Sequence, residues 1–195
     1  MALEENNNTH LVELSGSDYE VVDGEPNVNG WAVKNEMGQR IGEVDDLLFD
    51  PASRKVRYII VDLDSNQLGL ERDKKVLVPI GVAKLYIDGK LQDQDHKTID
   101  DDNVVVVSAT SVKLGDLPAY YKGELGPDNE TAVRRVFEGF GPADQVSGGP
   151  IYTRDDFYSH DHFNTDKFYN KKKLPIGRDV DSDRVDPDKT DLPKL

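Results

Sequence analysis

The sequence predicts an all-β domain: a small, strongly bent antiparallel β-barrel with a C-terminal amphipathic helix and disordered tails. Three observations carry this expectation. Short β-like runs alternate with turn chemistry from Val28 to Tyr121, the texture of a barrel or sandwich. One run, residues 54–63, is apolar on both faces in its C-terminal half, so it must be covered on both sides. Gly42 interrupts an otherwise regular strand, which marks a bulge or sharp bend.

The elements follow in order. Residues 1–27 form an acidic arm whose apolar patches, Leu11 to Leu14 and Tyr19 to Val22, either pack as an outlying strand or stay mobile. The domain proper spans 28–121. Trp31-Ala32-Val33-Lys34 leads to the turn Asn35-Glu36-Met37-Gly38, where glycine suits a positive φ. Residues 39–49 read as a long strand, closed by Asp50-Pro51-Ala52-Ser53, a type I turn by composition.

In the next strand Val56, Tyr58 and Ile60 share one face, and Ile59, Val61 and Leu63 the other. Residues 75–80 form a further strand, with Pro79 at its end or on a sheet edge. Ala83 to Ile87, Asp88-Gly89 and Lys90-Leu91 read as a hairpin. Four consecutive valines, 104 to 107, make a buried final strand. The expected barrel core is Trp31, Val33, Ile41, Val44, Leu47, Val56, Tyr58, Ile60, Val61, Val76 and Val78.

Beyond the domain, 110–114 reads as one helical turn and 122–141 as the amphipathic helix. Asp128 is its candidate N-cap. Val133, Val136, Phe137 and Phe140 repeat at helical spacing and so share a face. That face either caps the barrel or meets a partner or a second copy, as in a homodimer. Residues 142–195 show no periodicity and read as a disordered polar tail, with a short aromatic and histidine-rich motif in its middle.

Composition limits the function classes. Net charge is −14, and half of the excess lies in residues 1–27, which hold seven acids and no Lys or Arg. The basic footprint of a nucleic-acid binder is missing, so no nucleic acid is expected as partner. No apolar stretch is long enough to span a bilayer. No secretory signal is visible, which leaves the cytoplasm as the expected location. Cysteine is absent, so there are no disulfides, thiolate metal sites or cysteine nucleophiles.

Chemical constellations are sparse. His160-Asp161-His162 would offer two ligands to a divalent metal if extended, or is simply a polar patch. The aspartates at 179, 181 and 183 lack the glycine and glutamate of a calcium loop. Asp45 and Asp46 interrupt an apolar strand: either one turns inward, paired with Arg40 or Arg57, or a bulge turns both outward. No nucleophile elbow, phosphate loop or zinc-protease motif occurs. Neither an enzyme nor a cofactor or metal is expected.

The ordered series Gly30-Trp31-Ala32-Val33, Met37 to Asp50, Val56 to Asp62, Val76-Leu77-Val78-Pro79-Ile80 and Leu117-Pro118-Ala119-Tyr120-Tyr121 resembles the PRC-barrel family. That family is known from the cytoplasmic domain of the photosynthetic reaction centre H subunit, and a related barrel occurs in a ribosome maturation factor. The arm and the following helix are similar to those of stand-alone bacterial members. The resemblance implies the barrel fold and an assembly or docking role, with no catalytic motif to carry over. The resulting expectation is a non-enzymatic protein-binding or scaffold module. Its alternatives are an accessory subunit of a membrane electron-transfer complex or a ribosome-associated assembly factor.

A carboxylate at position 61 would enter a strand buried on both faces. Val61→Asp is therefore expected to abolish the cooperative melting transition seen by circular dichroism. A chain ending at Pro142 is, on the same reading, expected to keep its stability.

Overall fold

The computed structural model describes residues 11–21, 25–70, 72–87, 91–92, 98–99, 103–108, 114–140 and 154–169. Nine strands are described: β1 (Val12–Glu13), β2 (Ala32–Asn35), β3 (Arg40–Asp50), β4 (Lys55–Asp62), β5 (Lys75–Pro79), β6 (Ala83–Ile87), β7 (Leu91–Gln92), β8 (Thr98–Ile99) and β9 (Asn103–Val107). Helices α1 (Pro127–Phe137), α2 (Arg154–Ser159) and α3 (Thr165–Tyr169) follow. No described helix is long and apolar enough to cross a membrane.

The main sheet runs β5-β4-β3-β2-β9-β6, with β1 paired to the far end of β3. Two features correct the antiparallel barrel. First, β2 and β9 are parallel, Ala32 opposite Val104 and Asn35 opposite Val107. Second, the sheet is not closed. The outer edge of β5 is occupied instead: Val76 bridges Ala119, and the Tyr120 amide donates to the Lys75 carbonyl at 2.8 Å.

The sheet is nevertheless curled. β5 and β6 stand at its opposite ends, yet only the 3-10 turn Ile80–Val82 joins them. From Pro79 to Ala83 an extended chain reaches at most about 14 Å, whereas six flat strands would put their outer members about 24 Å apart. Only strong curvature reconciles the two.

Bulges supply part of that curvature. The pairing of β3 with β4 skips Asp45 on one strand and Arg57 on the other, and that of β2 with β3 skips Ile41. Gly42 lies between these irregularities. A Cβ there would stand 1.9 Å from the Asp62 carbonyl oxygen, so only glycine permits this approach of the two strands.

The core holds Val33, Ile41, Val44, Leu47, Tyr58, Ile60, Val61, Val76 and Val78, all buried. Trp31 and Val56 are only partly buried and pack against it from outside. Ile59 and Leu63 are buried as well, so β4 is covered on both faces. The pairing of β6 differs from the expected hairpin: its partner is β9, while β7 pairs with β8. The Asp88-Gly89 turn lies outside the described residues, as do residues 109–113.

Among the described residues of the arm, β1 is an outlying strand. Val12 pairs with Phe49 and Glu13 with Leu48, and the Leu14 amide donates to Leu47. Helix α1 starts with Gly126 as N-cap and Pro127 at its first position. Asp128 therefore falls inside the first turn and is not the cap, because proline with its fixed φ claims the first helical position. The helix ends in a Schellman motif: Gly139 has φ +84°, and the Phe140 amide donates back to the Arg135 carbonyl at 2.9 Å. Val133, Val136 and Phe137 are buried, but the reversal carries Phe140 out to 64% exposure. Phe140 is thus not part of the packed stripe.

Residues 154–169 correct the reading of a disordered tail. They form α2, a 3-10 turn (Asp161–Phe163) and α3, and they bury Phe157, Phe163 and Phe168 in the main core. The remainder of the tail lies outside the described residues. Each buried Phe contributes about 1.5–3 kcal/mol, partly offset by the entropy of ordering the segment. Ending the chain at Pro142 should therefore lower the melting temperature by roughly 10 °C, read by scanning calorimetry. A shift within about 2 °C would show that the segment contributes nothing to the fold.

Candidate binding surfaces

Two regions combine shape with charge. The first lies where the arm meets β3. Asp46, 6% exposed, accepts the Ser15 amide through both carboxylate oxygens at 3.1 Å, and its Oδ1 also accepts the Leu47 amide at 2.8 Å. Asp46 is thus inward-facing, but its partners are backbone amides rather than Arg40 or Arg57. The bulge at Asp45 explains the difference. It turns Asp45 toward Lys75, whose Nζ lies 2.8 Å from its carboxylate. That hydrogen bond raises the Lys75 pKa, against a smaller opposing effect of burial. Arg40 pairs with Glu43 at 3.2 Å, and Arg57 with Asp50 at 3.7 Å.

Glu13 ties the arm to the end of the domain, accepting from the Tyr120 hydroxyl at 2.7 Å and from the Lys122 ammonium. Burial first, then this bond to Glu13, pushes the Tyr120 hydroxyl well above the ordinary tyrosine range. Two clefts remain beside the docked arm, both touching Ser15. One, of about 400 Å³, is lined by Leu14, Tyr19, Val21 and Leu47 together with Glu20 and Glu25. The other, of about 300 Å³, lies among Leu11, Val12, Leu48, Tyr120 and Leu125. Tyr19 packs edge-on against Phe49 at 4.6 Å between centroids, yet stays 49% exposed, and Val12 is 36% exposed.

The second region is the seat of residues 154–169 on the sheet. Phe163 meets Tyr58 edge-to-face at 5.3 Å, and Phe157 and Tyr158 pack on Phe163 at 5.3 and 5.0 Å. Tyr58 is fully buried and its hydroxyl makes no hydrogen bond among the described residues. Burial holds its pKa well above the usual value. Bulged Arg57 lies over the Tyr158 ring at 4.3 Å, a cation–π contact strengthened by desolvation. The Tyr158 hydroxyl donates to Glu130 at 2.6 Å.

From α1, Arg134 lies over Phe157 at 5.1 Å, donates to the Phe157 carbonyl at 3.1 Å and bonds Glu138 at 2.7 Å. Burial of Arg134 is therefore compatible with its charge: the segment supplies a carbonyl and a ring, and Glu138 a carboxylate. Gly81 admits the segment's backbone. A Cβ at 81 would fall 2.5 Å from the Asp161 oxygen and 2.7 Å from that of His162. Tyr169, partly buried against the core, has its hydroxyl pushed up to about 12 by burial first and the Glu25 carboxylate second.

His160-Asp161-His162 is not extended but turns within this segment. Its side chains serve packing: His160 Nδ1 accepts the His162 amide at 3.2 Å, and Asp161 pairs with Lys167. No group of three or more potential metal ligands is found among the described residues. Asp179, Asp181 and Asp183 lie outside them. Sequence reading weighed Arg57 only as a partner for Asp45 or Asp46, and it missed the role of Gly81 and, within the aromatic stretch, the individual anchors Phe157, Phe163 and Phe168. The spacing of those three phenylalanines was the available signal, but helices of five and six residues are too short to print a periodicity.

With this geometry in view, comparison with known proteins is decisive for the central segment. Residues 24–110 match the model of the PRC-barrel domain. That segment is a PRC-barrel domain. It contains β2 through β9 and leaves out the arm strand, α1 and the C-terminal segment. An uncharacterized protein of Deinococcus radiodurans is 28% identical over 110 residues, 54% of this chain and 34% of that relative's length. The chain thus spans about a third of the relative it matches.

Asp46→Ala should free the arm by removing the acceptor that the Ser15 amide faces, at a local cost of about 1–3 kcal/mol. Amide exchange at Leu14 and Ser15 should accelerate while β4 amides stay protected. Unchanged exchange at both would show that the arm is held by β1 pairing alone.

Proposed function

We propose that the chain is a non-enzymatic protein-binding module of the bacterial cytoplasm, in which the PRC-barrel domain holds the arm in place as a docking surface. The observation that carries this reading is the pair of clefts beside the arm, where ordered apolar side chains remain accessible. The arm there is positioned by main-chain pairing to β3, by Asp46 and by Glu13, so its exposed side chains stand on a fixed frame. A preorganised surface of this kind loses little entropy on association.

Charge narrows the partner. The larger cleft carries Glu20 and Glu25 beside Tyr19 and Leu14, in a chain of net charge −14. Such a surface suits a protein segment that places basic residues next to an apolar anchor, with the charges steering encounter. Affinity purification from the native organism with the wild-type chain and with Tyr19→Ala/Glu20→Lys tests the reading. The expected result is a partner retained by the wild type and lost by the variant, with equal melting temperatures for both. Identical sets of retained proteins would overturn it.

A further inference from the structure

The seat of residues 154–169 contains two histidines packed ring against ring, and one of them, His162, is set against apolar cover. Their ring centroids are 4.3 Å apart. The His162 ring also packs edge-on to Phe137 at 6.1 Å, and its Nδ1 is buried with no hydrogen-bond partner among the described residues. His160 Nδ1 is an acceptor, taking the His162 amide, a role that protonation of that nitrogen removes. His160 already reaches water, with a third of its side chain exposed, whereas the carbonyls of Asp161 and His162, seated directly over Gly81, limit how far the backbone can turn the buried Nδ1 of His162 outward. Charge on the His162 ring is therefore relieved by lifting the segment.

We propose that residues 154–169 form an acid-released latch: neutral His162 keeps it on the sheet, and protonation of that ring detaches it and uncovers the face around Tyr58.

The charged groups around His162 come from each element packed there. Helix α1 and its C-cap bring Arg134 and Glu138, and the segment itself brings His160 and Asp161. Lys167 of α3 engages Asp161, while the Ile80–Val82 turn supplies no titratable side chain. Glu138 is already bonded to Arg134 at 2.7 Å and stands 3.8 Å from His160 Nε2, so it cannot serve His162 fully. Burial first, and then His160, lower the His162 pKa from 6.5, with Arg134 acting in the same sense and Glu138 and Asp161 against it.

The sign follows from linkage. The released ring binds its proton more tightly than the seated one, so seating is at full strength above the released value of 6.5 and weakens as pH falls below it. The weakening is complete once pH has passed below the seated value. Release would expose Tyr58 and the places of Phe163 and Phe168 while leaving the strands paired. Arg57 and Arg134 would lose their aromatic covers at the same time.

Hydrogen exchange on the full chain at about pH 7.5 and about pH 5, corrected for the intrinsic amide rate, tests this across the histidine range. Amides of residues 157–168 should lose protection several-fold at the lower pH while those of β4 keep theirs. In His162→Gln the segment should hold equal protection at both. Equal protection at both pH values in the wild type would overturn the latch. So would the same pH response in His162→Gln, or loss of β4 protection in parallel, which would mean global acid unfolding. Should His162→Gln fail to fold, ring titration of the wild type by NMR decides. His162 titrating below the ordinary histidine value, in step with the loss of protection, supports the latch, and titration at or above that value overturns it.

Discussion

The connection between β5 and β6 is the constraint on which the rest of the structure depends. Three residues, Ile80–Val82, carry the chain from one end of the sheet to the other. The sheet must curl to let them do so. That curl brings its outer strands close without letting them pair, because residues 119–120 already occupy the edge of β5. Gly42, the bulges at Ile41, Asp45 and Arg57, and two-sided burial of β4 are all answers to the same geometric demand.

The incomplete closure creates a seam, and the C-terminal segment lies on it. Helix α3 touches β6 and β4 as well as the turn between β5 and β6. The glycine of that turn is the point where the segment's backbone sits directly on the domain. Charge and aromatic contacts supply specificity there: Arg57 and Arg134 each cover a ring of the segment, and Glu130 holds the Tyr158 hydroxyl. The arm is fastened by different means, backbone pairing and a buried carboxylate. The PRC-barrel domain thus carries two attachments of different character, one combining backbone pairing and carboxylate bonds with the partly buried Leu11 and Leu14, the other built on aromatic burial.

Strand existence was legible in the sequence wherever alternation or a β-branched run was strong. β4, β5 and β9 stand where Tyr58, Val76 and the four valines place them, since local preference and burial agree there. Pairing was less legible. Nothing local distinguishes β2 meeting β9 in parallel from a hairpin neighbour, because that contact is fixed by the curl of the whole sheet. Asp46 could be suspected of facing inward, but its true partner, the Ser15 amide, carries no side-chain signature. Phe140 kept helical spacing in the sequence yet fell outside the helix, because Gly139, one residue before it, takes a positive φ and the helix ends at Phe137. The C-terminal segment was the hardest to read. Its anchors belong to short helices that acquire meaning only against Tyr58 and Gly81.

The parallel pairing of β2 with β9 has a kinetic side. Ala32 finds Val104 only after nearly all of the intervening strands have been laid down. The loop that closes on this contact is long, and such non-local pairings slow folding. During synthesis β2 must keep one edge unsatisfied until the valine strand emerges. Lys34 and Asn35, polar residues that end up buried in that ladder, give the waiting edge a charge and a turn-forming amide that discourage premature pairing with other chains. A seam that stays open while more than seventy residues are made is thus guarded by the residues it will eventually hide.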